Sequence, residues 1–258
     1  MMMMCLDVGN THVFGGVFAG SQLKLRFRYP ANQPITSDLF GLFLLNLLNQ
    51  HAVTPGDIQA VSMCSVVPSL DYSIVAACKK YFALTPLELK PGVKTGLKLN
   101  IKNPLALGAD RIANCVAAVD AFPEQHVIVV DFGTATTICV VTAHKEYLGG
   151  AILPGFKLSM ESLSNKASQL FAVDIIKPNS VLGKTTEGNI QTGLYYGQLG
   201  ANKEIITRIK QEVFLDEKVV LISTGGYAHL FADQQLFDVE LTDLVLDGLR
   251  LVLEKNHL

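Results

Sequence analysis

The chain has 258 residues, of which 49% are hydrophobic and 17% are charged, and its net charge at neutral pH is −2. This composition, with a mean hydropathy of +0.33, supplies a large apolar core and argues against disorder and against nucleic acid as a partner. No apolar run approaches the roughly 18 residues that span a bilayer, so we expect no membrane insertion.

The beginning of the chain and its cysteines predict a cytoplasmic protein. The four leading methionines carry no basic flank and run directly into Asp7, so they are typical of a first strand and not of a secretion signal. The five cysteines are odd in number and lack C-x-x-C spacing. We interpret them as reduced, buried side chains of a cytosolic protein, and we prefer this interpretation to a metal-binding or redox role.

The first informative stretch, CLDVGNTHVFGGVF at residues 5–18, reads as a strand, an acidic turn and a second strand. The turn combines acidic, small and polar residues, namely Asp7, Gly9, Asn10 and Thr11. Glycine lets the backbone approach a ligand, and hydroxyls and amides can hold phosphate oxygens. A single turn of this kind also fits an ordinary Asx or Thr turn, so the motif alone does not decide.

Helix and strand signals then alternate through the first half. Residues 37–49 have helical apolar spacing with Ser37 as the predicted N-cap, residues 58–62 read as a strand, and residues 68–81 read as a second helix. This order predicts an α/β fold whose parallel strands are covered by helices. The intervening CSVVP, residues 64–68, either lines a cleft or is a plain loop after a strand.

The segment NPLALGADRIANCVAAV, residues 103–119, places a charged pair at the start of an alanine-rich helix. Pro104 keeps its predecessor out of the helical region, and Gly108 gives a flexible start before Asp110 and Arg111. In one interpretation Asp110 only complements the helix dipole, with Arg111 as its surface partner. In the other, Asp110 accepts a proton from a substrate hydroxyl and Arg111 holds an anionic part of the acceptor.

The stretch VIVVDFGTATT, residues 127–137, repeats the first motif. Its four β-branched residues, 127–130, are typical of a strand that is covered on both faces and that delivers Asp131 into a turn. The turn and the residues after it offer a flexible backbone and hydroxyl groups, from Gly133, Thr134, Thr136 and Thr137. A carboxylate beside phosphates makes sense if a hard cation such as Mg²⁺ lies between them.

The two acidic motifs lie 124 residues apart, and each is followed by a strand, a short polar break and another strand. This repetition predicts a duplicated α/β architecture with a nucleotide between its halves. We predict an N-terminal half, 1–122, with the first phosphate motif and the acceptor-binding segment. The C-terminal half, 123–258, carries the second phosphate motif and an adenosine motif.

Three glycine-rich stretches follow the second motif. Residues 148–163 combine paired glycines, a strand and a Pro-Gly turn with a helix that begins near Lys157. Residues 181–206 contain a helix with a small-residue face, which permits close packing within the chain or across a dimer; its members are Gly193, Gly197, Gly200 and Ala201. Residues 219–231 form a strand that ends in STGG, where an adenosine can lie against bare backbone.

Three strand-to-glycine turns, two of them with aspartate, match the actin, hexokinase and sugar-kinase superfamily. More specifically, the whole chain resembles the type III pantothenate kinases. The resemblance implies a duplicated ribonuclease H-like fold of two domains, with mixed sheets flanked by helices. It depends on six motifs in order: DVGNT from Asp7, GADR from Gly108, DFGTATT from Asp131, GGAILPG from Gly149, GKTT from Gly183 and STGG from Ser223.

The resemblance also implies an activity. The γ-phosphoryl group of ATP is transferred to the primary hydroxyl of pantothenate, giving 4'-phosphopantothenate in the first step of coenzyme A biosynthesis. Mg²⁺ assists, together with a monovalent cation, K⁺ or NH4⁺.

The site residues follow from the same resemblance. Those that contact ATP are Asp7, Val8, Gly9, Asn10, Thr11, His12, Val13, Phe14 and Thr134. Asp131 binds the monovalent cation. Those that bind pantothenate are Gly108, Ala109, Asp110, Arg111 and Thr186, with Asp110 as the proton acceptor. Thr186 comes from the neighbouring subunit, which implies a homodimer with composite sites.

Two positions depart from the family pattern. Ile101 stands where a Tyr commonly contacts pantothenate, and Ala106 stands where a Glu is common. Loss of one neutral hydrogen bond costs about 0.5 to 1.5 kcal/mol, so we expect an active kinase with an adjusted acceptor site.

Three alternatives remain open. Another small-molecule kinase of the superfamily would share the ATP motifs but not the GADR and GKTT pair. A non-catalytic regulator resembling the Bvg accessory factor would be expected to lose Asp110 or Asp131, and both are present. A purely structural dimerisation module would show no change in stability with ATP.

Overall fold

The fold was obtained as a computed structural model that describes residues 1–215 and 217–257. The chain divides into two compact units. Unit 1 comprises Met1–Leu97, Lys102–Ala117 and the C-terminal helix, and unit 2 comprises Lys98–Ile101 and Ala118–Asp243. The predicted halves, 1–122 and 123–258, are contiguous stretches, whereas unit 1 also takes in a helix from the far end of the chain.

Unit 1 is built on a mixed sheet with strand order β3-β2-β1-β4-β5. Its strands are β1 (Met2–Val8), β2 (His12–Ala19), β3 (Gln22–Pro30), β4 (Ile58–Ser65) and β5 (Leu87–Glu88). Its helices are α1 (Ser37–Gln50), α2 (Pro68–Phe82), the first part of α3 (Ala109–Ala121) and α6 (Leu244–His257). The leading methionines do form the first strand, and Met3 and Met4 are fully buried.

Helices cover both faces of the sheet in unit 1. Val13 and Val17 of β2 belong to the core that α1 and α2 complete, whereas Gly16, on the opposite face, lies against Leu246 of α6. A β-carbon at Gly248 would lie only 1.9 Å from the Ala113 carbonyl oxygen, so α6 and α3 pack backbone to backbone. Helix α6 belongs to unit 1 because it packs on β1, β2 and β4 of this sheet, where the Ser62 hydroxyl donates to the Leu249 carbonyl oxygen at 3.1 Å.

The helix predicted over residues 37–49 is confirmed, but its predicted cap is wrong by one residue. The N-cap is Thr36, whose backbone is extended and whose hydroxyl accepts a hydrogen bond from the Leu39 amide at 3.2 Å. Ser37 is already helical. An N-cap must lie outside the helical region so that its side chain can reach back to a free amide.

Unit 2 is built on a second mixed sheet with strand order β11-β10-β7-β8-β9-β6. Its strands are β6 (Lys98–Leu99), β7 (His126–Phe132), β8 (Ala135–Val141), β9 (Glu146–Pro154), β10 (Val219–Thr224) and β11 (Val239–Glu240). Its helices are the end of α3, α4 (Phe156–Lys166) and α5 (Thr186–Val213). The β-branched residues of β7 are buried, as predicted for a strand covered on both faces.

The two sheets share one strand plan. In unit 1, β1, β2 and β3 form an antiparallel meander, and β4 lies parallel to β1. In unit 2, β7, β8 and β9 form the same meander, and β10 lies parallel to β7. In each unit, the first strand of the meander is also the strand that pairs with the parallel neighbour. This strand carries an aspartate near its carboxyl end.

Two further expectations concern the whole chain. All five cysteines are free and buried, as predicted. Within residues 1–215 and 217–257, every helix is too short or too polar to pass through a bilayer.

Candidate active site

The first acidic motif lies at the end of β1 in unit 1. The strand register pairs Asp7 with Phe14 on β2 and with Cys64 on β4. The Gly9 amide donates to the His12 carbonyl oxygen at 3.1 Å, which closes the turn between the two strands. The turn thus presents its polar residues at the same sheet edge as the half-buried Asp7 carboxylate.

An arginine on β3 continues the row of paired residues that begins with Asp7 and Phe14. Arg28 on β3 pairs with Phe14, and its guanidinium lies 4.5 Å from the centre of the Phe14 ring. Stacking on an aromatic face holds an arginine side chain in place without removing its charge. No local pattern marks Arg28 in the sequence, and its position opposite Phe14 follows only once the hairpin register is known.

The acceptor motif GADR lies at the start of α3, also in unit 1. Oδ1 of Asp110 accepts a hydrogen bond from the Arg111 amide at 2.8 Å, so the carboxylate folds back onto the beginning of its own helix. A β-carbon at Gly108 would lie only 2.5 Å from that oxygen. Glycine at position 108 is therefore what leaves room for the carboxylate in this conformation.

The environment of Asp110 makes its carboxylate more basic than that of an exposed aspartate. Burial raises the pKa of Asp110, and the amide hydrogen bond and charge of Arg111 offset only part of that effect. A carboxylate with a raised pKa is a stronger proton acceptor than a solvated one. The geometry is compatible with both interpretations of Asp110, as a helix-terminus carboxylate and as a base.

The second acidic motif lies in unit 2, where two glycines surround Asp131. Gly225 has a left-handed backbone with φ of +90°, and a β-carbon there would lie 2.4 Å from Oδ1 of Asp131 and 2.7 Å from the Phe132 backbone. A β-carbon at Gly133 would lie 3.5 Å from the same oxygen. The carboxylate thus lies in a cradle that a residue larger than glycine at position 225 would fill, whereas a β-carbon at position 133 would only touch it.

The turn after Asp131 is held by backbone hydrogen bonds. The Gly133 amide donates to the Ala135 carbonyl oxygen at 3.2 Å, and the Gly155 amide donates to the Thr134 carbonyl oxygen at 3.2 Å. A β-carbon at Gly155 would lie 2.4 Å from that Thr134 oxygen. The motifs DFGTATT and GGAILPG therefore meet at Thr134.

Thr136 does not fit its predicted role. Its side chain is completely buried and donates to Oε1 of Gln198 at 3.0 Å. Nε2 of Gln198 in turn donates to the Pro154 carbonyl oxygen at 2.6 Å. The Thr136 hydroxyl therefore joins α5 to the sheet and does not face a phosphate. Gln198 was missed because a single polar residue beside a glycine-rich helix face carries no sequence signal.

The remaining predicted residues lie at the ends of elements in unit 2. Thr186 is the exposed first residue of α5, and the hydroxyl of Thr185 caps that helix by accepting from the Gly188 amide at 3.1 Å. In STGG, the Ser223 and Thr224 side chains are buried, whereas a β-carbon at Gly226 would meet nothing within 4 Å. Ile101 is half-buried.

Across the part of the chain that the structure describes, no three His, Cys, Asp or Glu residues are grouped to hold a metal ion. The Asp131 cradle offers a single carboxylate. A carboxylate oxygen is a hard donor that fits the expected monovalent cation as well as Mg²⁺, with the other ligands taken from substrate phosphates and water.

Comparison with known proteins identifies the family. The family model "Type III pantothenate kinase" matches residues 3–208. "Type III pantothenate kinase 1" of Francisella tularensis is 60% identical over 99% of this chain and 100% of its own length. The chain belongs to the type III pantothenate kinase family. A second member, from Legionella pneumophila, is 50% identical over 99% of both chains.

Solved structures confirm the predicted fold class of this type III pantothenate kinase family member. A conserved putative Baf family transcriptional activator from Campylobacter jejuni matches with a TM-score of 0.62 and 21% identity over 98% of both chains. The ROK hexokinase from Thermus thermophilus matches with a TM-score of 0.50 and 14% identity over 99% of both chains. At these identities the likeness extends to the fold alone.

Proposed function

We propose that the chain is a pantothenate kinase, which transfers the γ-phosphoryl group of ATP to the primary hydroxyl of pantothenate and so begins coenzyme A biosynthesis. The observation that carries this proposal is its 60% identity, over nearly the whole chain, with an enzyme of that name. The two acidic turns and the GADR segment supply residues suited to each part of the reaction.

On the acceptor side, Asp110 orients the attacking hydroxyl and takes its proton. Its raised pKa makes it a better base than an exposed carboxylate, and the Arg111 amide fixes one of its oxygens at 2.8 Å. Arg111 lies next to it and binds the carboxylate of pantothenate. Proton transfer occurs late in phosphoryl transfer, so positioning of the hydroxyl is the larger part of this role.

On the donor side, residues 7–14 and Thr134 bind ATP, and the carboxylate of Asp131 binds the monovalent cation. When bound, Mg²⁺ and K⁺ or NH4⁺ neutralise negative charge on the transferred group. Gly225 supports this assignment, because it leaves open space where a β-carbon would crowd the Asp131 carboxylate.

We further propose a homodimer with composite sites, to which Thr186 is supplied by the neighbouring subunit. Support comes from α5, where β-carbons at Gly193, Gly197 and Gly200 would meet nothing within 4 Å, so the residues that the structure describes leave this face open. Leu182, just before the helix, is 74% exposed. The free, buried cysteines are consistent with a cytoplasmic location.

Substrate profiling tests the activity. Purified protein should form 4'-phosphopantothenate from ATP, Mg²⁺ and pantothenate, and K⁺ or NH4⁺ should increase the rate. Phosphorylation of another alcohol in preference to pantothenate would identify a different kinase of the superfamily. Absence of any phosphorylated product would point to a regulator.

Subunit complementation tests the composite site. Asp110→Asn and Thr186→Val should each lower activity when expressed alone. Coexpression should restore about a quarter of wild-type activity, because half of the dimers are mixed and each mixed dimer has one intact site. If coexpression restores nothing, both residues serve the same chain's site and the composite arrangement is wrong.

A further inference from the structure

One buried cysteine directly contacts the first acidic motif. Asp7 and Cys64 lie opposite each other on the neighbouring parallel strands β1 and β4. The Cys64 thiol donates a hydrogen bond to Oδ1 of Asp7 across 3.3 Å, and the Cys64 side chain is only 1% exposed. An ionised carboxylate can only accept, so the thiol must be the donor.

The surroundings keep this thiol protonated. Burial is the largest cause that raises the pKa of Cys64 well above its usual range, and the negative charges of Asp7 and Asp110 raise it further. A thiolate would add another negative charge beside two carboxylates that the proposed reaction uses. Cys64 is therefore a constant donor at neutral pH and neither a nucleophile nor a metal ligand.

We propose that Cys64 is a positioning residue for phosphoryl transfer, whose thiol holds the Asp7 carboxylate in one orientation at the end of β1. The inference rests on the proposed function, because the proposed function is what assigns Asp7 to ATP binding. With Oδ1 held by the thiol, rotation of the carboxylate about its Cα–Cβ and Cβ–Cγ bonds is restricted. A fixed carboxylate loses less freedom when ATP binds than a rotating one does.

The kinetic test uses two variants of Cys64 and one matched control. Cys64→Ala removes the donor, whereas Cys64→Ser keeps a hydroxyl that can donate to the same oxygen. Cys78→Ala is the control, because Cys78 is equally buried but lies in α2, where burial raises the pKa of its thiol to about 12.

We expect Cys64→Ala to lower kcat/KM for ATP by about five- to tenfold. This is the loss expected when a charged carboxylate loses one hydrogen bond from a weak donor such as a thiol. Cys64→Ser should remain within about threefold of wild type. The KM for pantothenate should change less than the KM for ATP. Equal kinetic losses in Cys64→Ala and Cys78→Ala would reduce Cys64 to a packing residue and overturn the proposal.

A spectroscopic measurement tests the hydrogen bond without any activity. The difference infrared spectrum of wild type minus Cys64→Ala isolates the S–H stretching band of Cys64, and the Cys78→Ala difference isolates that of Cys78. The Cys64 band should lie at lower frequency, since donation to a carboxylate weakens the S–H bond, and Asp7→Asn should move it upward. Coincident bands would refute the hydrogen bond.

The outcomes separate this inference from the proposed function. If the wild type does not phosphorylate pantothenate, the proposed function fails, and the equilibrium dissociation constant for ATP then replaces kcat/KM as the readout. A Cys64→Ala variant that binds ATP as tightly as wild type would overturn the positioning role in either case.

Discussion

Gly108→Ala should separate activity from stability. The new β-carbon would lie 2.5 Å from Oδ1 of Asp110, whereas ordinary carbon contacts begin near 3.5 Å, so the oxygen must move by about 1 Å. That movement removes the 2.8 Å hydrogen bond from the Arg111 amide. Its loss costs about 0.5 to 1.5 kcal/mol, and the lower chain entropy of alanine in the unfolded state offsets about 0.4 to 1 kcal/mol.

The net change in unfolding free energy is therefore about 1 kcal/mol or less, which corresponds to a Tm shift of at most about 4 °C for a chain of this size. Catalysis should suffer more, because a 1 Å displacement of a catalytic group can cost about a hundredfold in kcat. Steady-state kinetics and thermal unfolding of the same preparations measure both effects.

Gly56→Ala is the control for this experiment. A β-carbon at Gly56 would meet only the Thr54 hydroxyl at 3.9 Å, so neither activity nor Tm should fall. If Gly108→Ala keeps kcat within about threefold of wild type, the Asp110 carboxylate is not required in its observed position, and the reasoning from its geometry is refuted.

Three more predictions follow from the described contacts. Burial raises the pKa of Asp110, so the folded state is favoured when this carboxyl is protonated. This contribution to stability is fully present below the ordinary aspartate pKa of about 3.9, and it is lost as pH rises through the raised pKa of the folded state. Asp110→Asn should thus melt no lower than wild type at pH 7, and any gain in Tm should vanish below about pH 4. Gly225→Ala should lower both Tm and ATP affinity, since its backbone is left-handed and its β-carbon would lie 2.7 Å from the Phe132 backbone; Gly226→Ala, whose β-carbon would meet nothing within 4 Å, should leave Tm unchanged. Gln198→Leu should lower the unfolding free energy by about 1 to 3 kcal/mol, because it removes the partner of the buried Thr136 hydroxyl and one of the two donors to the Pro154 carbonyl, which keeps the Ser159 hydroxyl at 3.4 Å; an unchanged urea midpoint would contradict this.

The strands that carry the acidic motifs could be predicted from sequence because their signal is local. The four β-branched residues before Asp131 are enough to predict a buried strand, and the glycine after it predicts the turn. Thr36 and Ser37 show the limit of such signals. Both residue types cap helices, and only the backbone conformation shows that Thr36 takes that position.

Features that depend on which strands pair, in which register, and on which helices touch could not be predicted from the sequence. Thr136 lies opposite the buried Phe132 in the hairpin, so it shares that buried face, but the register had to be known first. The contact between Cys64 and Asp7 needs the parallel register of two strands that are far apart in sequence. The close contact of α6 with α3 depends on Gly248, whose approach to the Ala113 backbone leaves no local signal.

The most direct test of the central claim is the turnover of pantothenate by three proteins: wild type, Asp110→Asn and Asp120→Asn, where Asp120 is an exposed carboxylate on the same helix. We expect 4'-phosphopantothenate from the wild type, a loss in kcat of about a hundredfold or more in Asp110→Asn with ATP affinity preserved, and no change in Asp120→Asn. Absence of product from the wild type, or wild-type turnover by Asp110→Asn, would contradict the proposed reaction or its proton acceptor, respectively.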